Sequence, residues 1–177
     1  MNRRLCICFL TAFAAAGAVG RAAESLRIVP IVRDDKVLVS FELADAYSED
    51  VRAAIASGLR TTFTYDVDLR MAVPAWLDRT ITTVVVSVSD QFDNLTRRHR
   101  LSRTIDGRVE EASVTEDEAI ARRWLTTLDR VTLYQASRLD PTRDYYLRIS
   151  ARARPMAASL LGWANAITGQ AKFTIIP

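Results

Sequence analysis

Between Leu59 and Met71 the chain alternates without interruption. Leu59, Thr61, Phe63, Tyr65, Val67, Leu69 and Met71 occupy the odd positions, and Arg60, Thr62, Thr64, Asp66, Asp68 and Arg70 the even ones. Side chains on a strand point to opposite faces at every second residue, whereas a period near 3.6 would scatter these same residues around a helix axis. The segment therefore predicts one long strand with a buried face and a wet face. A polar outer face belongs to an antiparallel sheet rather than to a parallel one covered by helices.

The segments around it extend the sheet. Leu26–Ile31 and Val37–Leu43 read as a hairpin about Asp34-Asp35-Lys36, with Pro30 placing the first run at an edge or a bulge. Ser48 caps a short helix with Glu49 and Asp50 in its first turn and Gly58 as its stop, so that Val51, Ala54 and Ile55 share a face. Trp76 and Leu77 are expected to tuck the next loop onto the core. From Thr80 to Val114 the Thr- and Val-rich runs predict a three-stranded meander with two-residue turns at Asp93-Asn94 and Asp106-Gly107. Those turns set Asp90 opposite Arg97, Val88 opposite His99, Val86 opposite Leu101, and Arg103 opposite Glu110, all sensible cross-strand pairs.

Thr115 with Glu118 has the form of a capping box, starting a helix to about Asp129 with a stripe of Ile120, Trp124 and Leu128. Val131–Ala136 is a short strand. Tyr145–Ala153 alternates as a second long one and Pro155 stops it. Met156–Ile167 reads as a final helical or looped segment ended by Gly169, with Phe173 and Ile175 closing the chain as a strand. The expected fold is a single α+β domain: a mainly antiparallel, curved β-sheet of about eight strands with two or three packed helices. The alternative is a two-sheet β-sandwich.

The first residues limit the function classes. Arg3 and Arg4 precede an apolar run from Leu5 to Val19, and small residues follow before Glu24. This is the layout of a secretory signal peptide, residues 1–23, cleaved after Ala22 or Ala23. A retained anchor is the alternative, although the run is short for a span of about 20 residues. Residues 24–177 then form one envelope domain, periplasmic in location and without a transmembrane span. Cys6 and Cys8 fall in the leader, so the mature chain would carry no disulfide, no thiolate metal site and no cysteine nucleophile. Arg3, Arg4 and Arg21 also fall there, and without them the 24 Lys and Arg come level with the 21 Asp and Glu. A balanced chain gives no reason to expect nucleic-acid binding.

Candidate chemistry is sparse. His99 is the only histidine and lies among Arg97, Arg98 and Arg100, whose charges disfavour the imidazolium that a general base must become. It is expected to be a sheet residue at the core or its rim. One histidine and no cysteine leave no ligand set for a transition metal, and no cofactor motif is present. Asp66 and Asp68 share the wet face of the long strand about 7 Å apart, a spacing open to a carboxylate pair acting on a glycosidic bond or to part of a calcium site, but with no pocket signalled nearby the preferred reading is a solvated face partnered by Arg60 and Arg70. Arg148, Arg152 and Arg154 line one strand face and Arg98 and Arg100 another. If those faces adjoin, they offer an arginine surface to an acidic envelope protein or to anionic lipid headgroups; otherwise neighbouring acids neutralise it.

Several segments also resemble the bacterial domain-of-unknown-function family 4390. They are Phe41-Glu42-Leu43 with Tyr47–Val51 and Ser57–Leu59, then Phe92–Leu101, Tyr146–Arg152 and Trp163. His99 stands where that family tends to place an aromatic residue. The resemblance implies an exported envelope protein, accessory to an envelope sensor or assembly partner, and implies no known activity. The leading expectation is a non-catalytic periplasmic interaction module; a small apolar-ligand or lipid-binding protein and a carboxylate-dependent hydrolase are the alternatives.

Overall fold

A computed structural model of the chain describes residues 26–155 and 167–175. Residues 1–25, on which the expected signal peptide falls, and the segment Met156–Ala166, on which most of the expected final segment falls, lie outside the described residues. The long alternating segment is β3 (Thr61–Met71), and its odd residues from Thr61 to Leu69 are buried. It sits between β4 (Arg79–Asp93) and β8 (Tyr145–Pro155), antiparallel to both. Beyond β4 lie β5 (Arg98–Ile105) and β6 (Arg108–Thr115), and beyond β8 lies β9 (Ile167–Phe173), which completes a six-stranded sheet in the order β6-β5-β4-β3-β8-β9. A second sheet has the order β1-β2-β7, from β1 (Leu26–Arg33), β2 (Lys36–Leu43) and β7 (Thr127–Gln135). Among the described residues every strand pairing is antiparallel and nine strands in two sheets stand with two α-helices, which agrees roughly with a mainly antiparallel α+β fold of about eight strands and with a sandwich-like arrangement.

The sheets share one core. Phe41 of β2 meets Tyr65 of β3 edge-to-face, with ring centroids 4.9 Å apart. Val37, Val39 and Leu43 from one sheet join Phe63, Val67, Leu69, Val86 and Ile149 from the other, all fully buried. Gly169 of β9 faces β1: a Cβ there would stand 3.0 Å from Leu26 Cδ2 and 3.2 Å from Ile28 Cδ1, so a side chain at this position would need those tips to shift. Pro30 lies on β1, which pairs through β2 at the edge of its sheet, as its missing N–H requires.

Helix α1 (Glu49–Ala56) begins as expected, with Ser48 Oγ accepting from the Val51 N–H, and buries Val51 and Ile55. Gly58 ends it at φ +87°, where its N–H reaches Ile55 and that of Leu59 reaches Ala54. Helix α2 (Glu118–Thr126) differs from expectation. Its cap is Asp117, accepting from the Ala119 N–H, while Thr115 Oγ1 accepts from Asp117 instead. The later start turns Ala121 and Leu125 inward and leaves Ile120 half-exposed. The helix ends at Thr126 and β7 follows without a loop.

Four further expectations are corrected. The β4–β5 connection has four residues, Asn94–Arg97, because Asp93 Oδ1 accepts from the Leu95 and Thr96 N–H groups and rolls the chain into a wider turn. The register moves with it: Phe92 faces His99, Asp90 faces Leu101 and Val88 faces Arg103. At Asp106-Gly107 the two-residue turn holds, but a bulge between Arg103 and Thr104 makes Glu111, not Glu110, the partner of Arg103. Trp76 and Leu77 are not tucked in; they are 81% and 85% exposed. Ile167 and Gly169 belong to β9 rather than to a terminal helical or looped segment.

Candidate functional site

The strand order decides what the arginines can do. Arg98 and Arg100 on β5, and Arg148 and Arg152 on β8, occupy even positions that share the outer face of the six-stranded sheet, while Arg154 is placed on β8 by its register opposite Thr62. β4 and β3 stand between them, about 14 Å at the usual strand spacing, so the two groups do not adjoin. Arg98 pairs with Glu116 at 2.9 Å, Arg100 with Asp93 at 2.9 Å, and Arg152 with Asp66. Neighbouring acids thus neutralise much of this face. Asp68 accepts from the Thr83 hydroxyl at 2.6 Å, so both strand carboxylates are engaged by neighbours.

The opposite face of the same strands holds the more unusual chemistry. The wide β4–β5 turn brings His99 onto the core face beside Asp90, with Nδ1 and Oδ2 at 2.8 Å. Asp90 is wholly buried and His99 nearly so. Burial pushes the Asp90 carboxyl above its ordinary range, against the opposing pull of the His99 hydrogen bond. The second oxygen of Asp90 has no partner among the described residues, nor has the hydroxyl of Thr61, which faces Asp90 across the ladder. With Asp90 ionised, Nδ1 carries the imidazole proton and Nε2 is left as an acceptor. Phe92 stacks at a tilt against the ring, 4.7 Å between centroids, and fixes its plane.

His99 forms part of the wall of a cleft of about 400 Å³ between β4–β5, α1 and the start of α2. Ile55, Ala56 and Phe92 supply an apolar side; Tyr47, Arg52, Arg97, Glu116 and Glu118 supply the rim. Most of that rim is already satisfied. Arg52 pairs with Glu118 at 2.9 Å, Glu116 with Arg98, and the Tyr47 hydroxyl donates to Glu118 at 3.4 Å. Burial and the nearby carboxylates Glu118 and Asp90 push the Tyr47 hydroxyl up to about 12, so it remains a donor. Arg97 is the exception: it makes no ion pair among the described residues, and its backbone is left-handed at φ +57°. Among the described residues the wall carries a histidine held by a carboxylate, with the Tyr47 hydroxyl on the rim and no serine, threonine or cysteine. Such a pair can orient a bound hydrogen-bond donor at Nε2.

Reading the sequence located His99 on this meander among Arg97, Arg98 and Arg100 but set it opposite Val88, and so missed Asp90 and Phe92 as its neighbours. The available signal was Asp93 followed by Thr96, a side chain able to cap a longer turn. Tyr47, Arg52, Glu116 and Glu118 come from distant segments, and only the packing of α1 and α2 brings them to the cleft.

Among the described residues no three His, Cys, Asp or Glu side chains group as a metal site, and no helix is long and apolar enough to cross a membrane. No curated protein and no solved structure matches the chain significantly. A family model described as a domain of unknown function matches residues 21–161, the greater part of the sequence and nearly all of both sheets. By that match, and with the strands and helices it spans now described, the chain belongs to the DUF4390 family.

Proposed function

We propose that this protein is an exported, non-catalytic interaction module of the bacterial envelope, and that it engages an acidic group of a partner protein at the cleft beside His99. Arg97 carries the reading. Left-handed backbone costs a side chain other than glycine about 1 kcal/mol, and Arg97 adopts it in a four-residue turn where glycine would fit without strain. Asp93 caps that turn without pairing the guanidinium, whereas a partner's carboxylate set against Arg97 would supply its counterion. Leu95, 96% exposed in the same turn, adds an apolar anchor beside the charge. Export rests on the order of basic residues, apolar run and small residues at the start of the chain.

The two alternatives have less support. An apolar ligand would need room between the sheets, and there Phe41, Phe63, Tyr65, Leu69 and Leu147 are packed together and fully or almost fully buried. A hydrolase built on Asp66 and Asp68 would need free carboxylates, and Arg152 and Thr83 hold them.

The test is photo-crosslinking in living cells from positions 95 and 97, compared with positions 148 and 152 on the outer sheet face. A dominant protein adduct from 95 and 97, absent from 148 and 152, supports the cleft as the docking site. Protein adducts only from 148 and 152 return the reading to the arginine face. Lipid adducts alone, or none, overturn it.

A further inference from the structure

The connection between β3 and β4 breaks the usual rule for surface loops. Pro74, Ala75, Trp76 and Leu77 are four consecutive apolar residues and all are exposed, Trp76 by 81% and Leu77 by 85%. An exposed run of this kind destabilises a soluble fold unless it has a use. The loop is also held firmly. Asp78 Oδ1 accepts from the Val73 N–H at 3.4 Å, Asp78 Oδ2 accepts from the Tyr146 hydroxyl at 2.5 Å, and Arg70 donates to the Asp78 carbonyl at 3.3 Å. The Trp76 N–H turns back to Val73 O at 3.1 Å. The Tyr146 hydrogen bond holds the Asp78 carboxyl below its ordinary range, so the clamp persists across neutral pH. Two large apolar side chains are thus presented from a rigid tip, which removes much of the ordering cost of binding.

We propose that this tip docks the protein on an anionic bilayer surface. The argument for a bilayer rather than a protein pocket is the order of chemistry along the loop. Apolar side chains form the tip, and an indole, whose body is apolar and whose N–H is polar, suits the headgroup boundary. At its base Arg70 and Arg79 face each other's strands, Met71 opposite Arg79 and Arg70 opposite Thr80, where two cations would meet lipid phosphates as the tip enters. The one acid in the loop, Asp78, has its carboxylate held by the Tyr146 hydroxyl and the Val73 N–H. This docking is independent of the His99 cleft: the loop joins the end of β3 to the start of β4, whereas the cleft borders the β4–β5 turn at the other end of β4.

The test uses the full chain with Trp124→Phe and Trp163→Phe, so that Trp76 alone reports, and vesicles of phosphatidylethanolamine and phosphatidylglycerol. Insertion gives a blue-shifted Trp76 emission and quenching by lipids brominated on their acyl chains. In the otherwise native chain, Trp76→Ser with Leu77→Ser lowers vesicle binding by about tenfold or more, as expected from removing two large apolar groups from the bilayer boundary. Arg79→Glu weakens binding to anionic vesicles and leaves any residual binding to neutral ones unchanged. Trp76 emission that does not shift on vesicles overturns the proposal even where the chain sediments with them, because the apolar N-terminal run binds lipid without this loop. Vesicle binding unaltered by the double serine variant overturns it equally.

Discussion

His99 Nδ1 and Asp90 Oδ2 stand 2.8 Å apart on the core face of neighbouring strands, both side chains buried. A carboxylate placed there is held by one hydrogen bond and leaves its other oxygen without a partner. Removing it altogether strands the imidazole N–H, so Asp90→Ala destabilises the fold by about 2 kcal/mol in urea titrations.

Asp90→Asn behaves differently, because the amide resembles the protonated acid. The folded Asp90 carboxyl is raised above its ordinary value of 3.8, chiefly by burial. A raised acid contributes its full stability below the unfolded pKa and loses it as pH rises through the folded one. The asparagine variant is therefore more stable than the native protein near neutrality. Its advantage shrinks as pH falls through the raised range and vanishes below 3.8. Denaturation of both proteins across this window, with His99 and Tyr47 as the other titratable groups facing the site, checks the slope; a constant difference contradicts it.

The same residues show how far the sequence could be read. Alternation placed β3 and β8, because a sheet with one buried face imposes period two on whatever strand runs through it, and a Thr- and Val-rich run placed β4. Ser48 and Gly58 bounded α1, since caps are local chemistry. The register of β4 on β5 was not legible from cross-strand pairing, because two charge-sensible registers exist and one side chain, Asp93, chooses between them by capping its own turn. The division into two sheets was hidden for a related reason: β2 pairs with β7 about ninety residues away, and no periodicity records which strands meet. Trp76 was assigned to the core on hydrophobicity alone, and no sequence rule shows that a loop will hold a tryptophan outward.

Tyr65 ties the six-stranded sheet to α2, its hydroxyl donating to the Leu125 carbonyl at 2.6 Å in the core. Tyr65→Phe keeps the ring that packs on Phe41 and removes only this bond, leaving a buried carbonyl unpartnered. The expected cost is about 1.5 kcal/mol. Hydrogen exchange adds a sharper reading: the amides of the last turn of α2 lose protection more than those of β3.

Arg103 lies between two partners, 4.4 Å over the ring of Trp124 and 3.1 Å from Glu111. The bulge that brings Glu111 into reach turns Glu110 away from it. Glu111→Gln therefore costs about 0.5 kcal/mol and Glu110→Gln nothing measurable. A double-mutant cycle of Arg103→Met with Trp124→Leu should show coupling of about 1 kcal/mol, since the guanidinium is only about one-fifth exposed. Equal effects at the two glutamates would place the β5–β6 bulge elsewhere.

Arg97 separates stability from recognition in one substitution. Its φ of +57° is one that glycine adopts freely, and its side chain makes no ion pair among the described residues. Arg97→Gly relieves the strain but widens the unfolded ensemble, and these effects oppose each other within about 1 kcal/mol. Arg97→Asn tolerates the same backbone without the full entropic cost and should raise stability by a few tenths of a kcal/mol. Both variants keep the Asp93 cap and so the turn. Both are expected to lose most of the protein adduct formed from position 95, because the cation that faces the cleft is gone. A variant of unchanged stability and unchanged crosslinking would show that the turn holds arginine for no reason the cleft supplies, and the docking assignment would then have to rest on Leu95 alone.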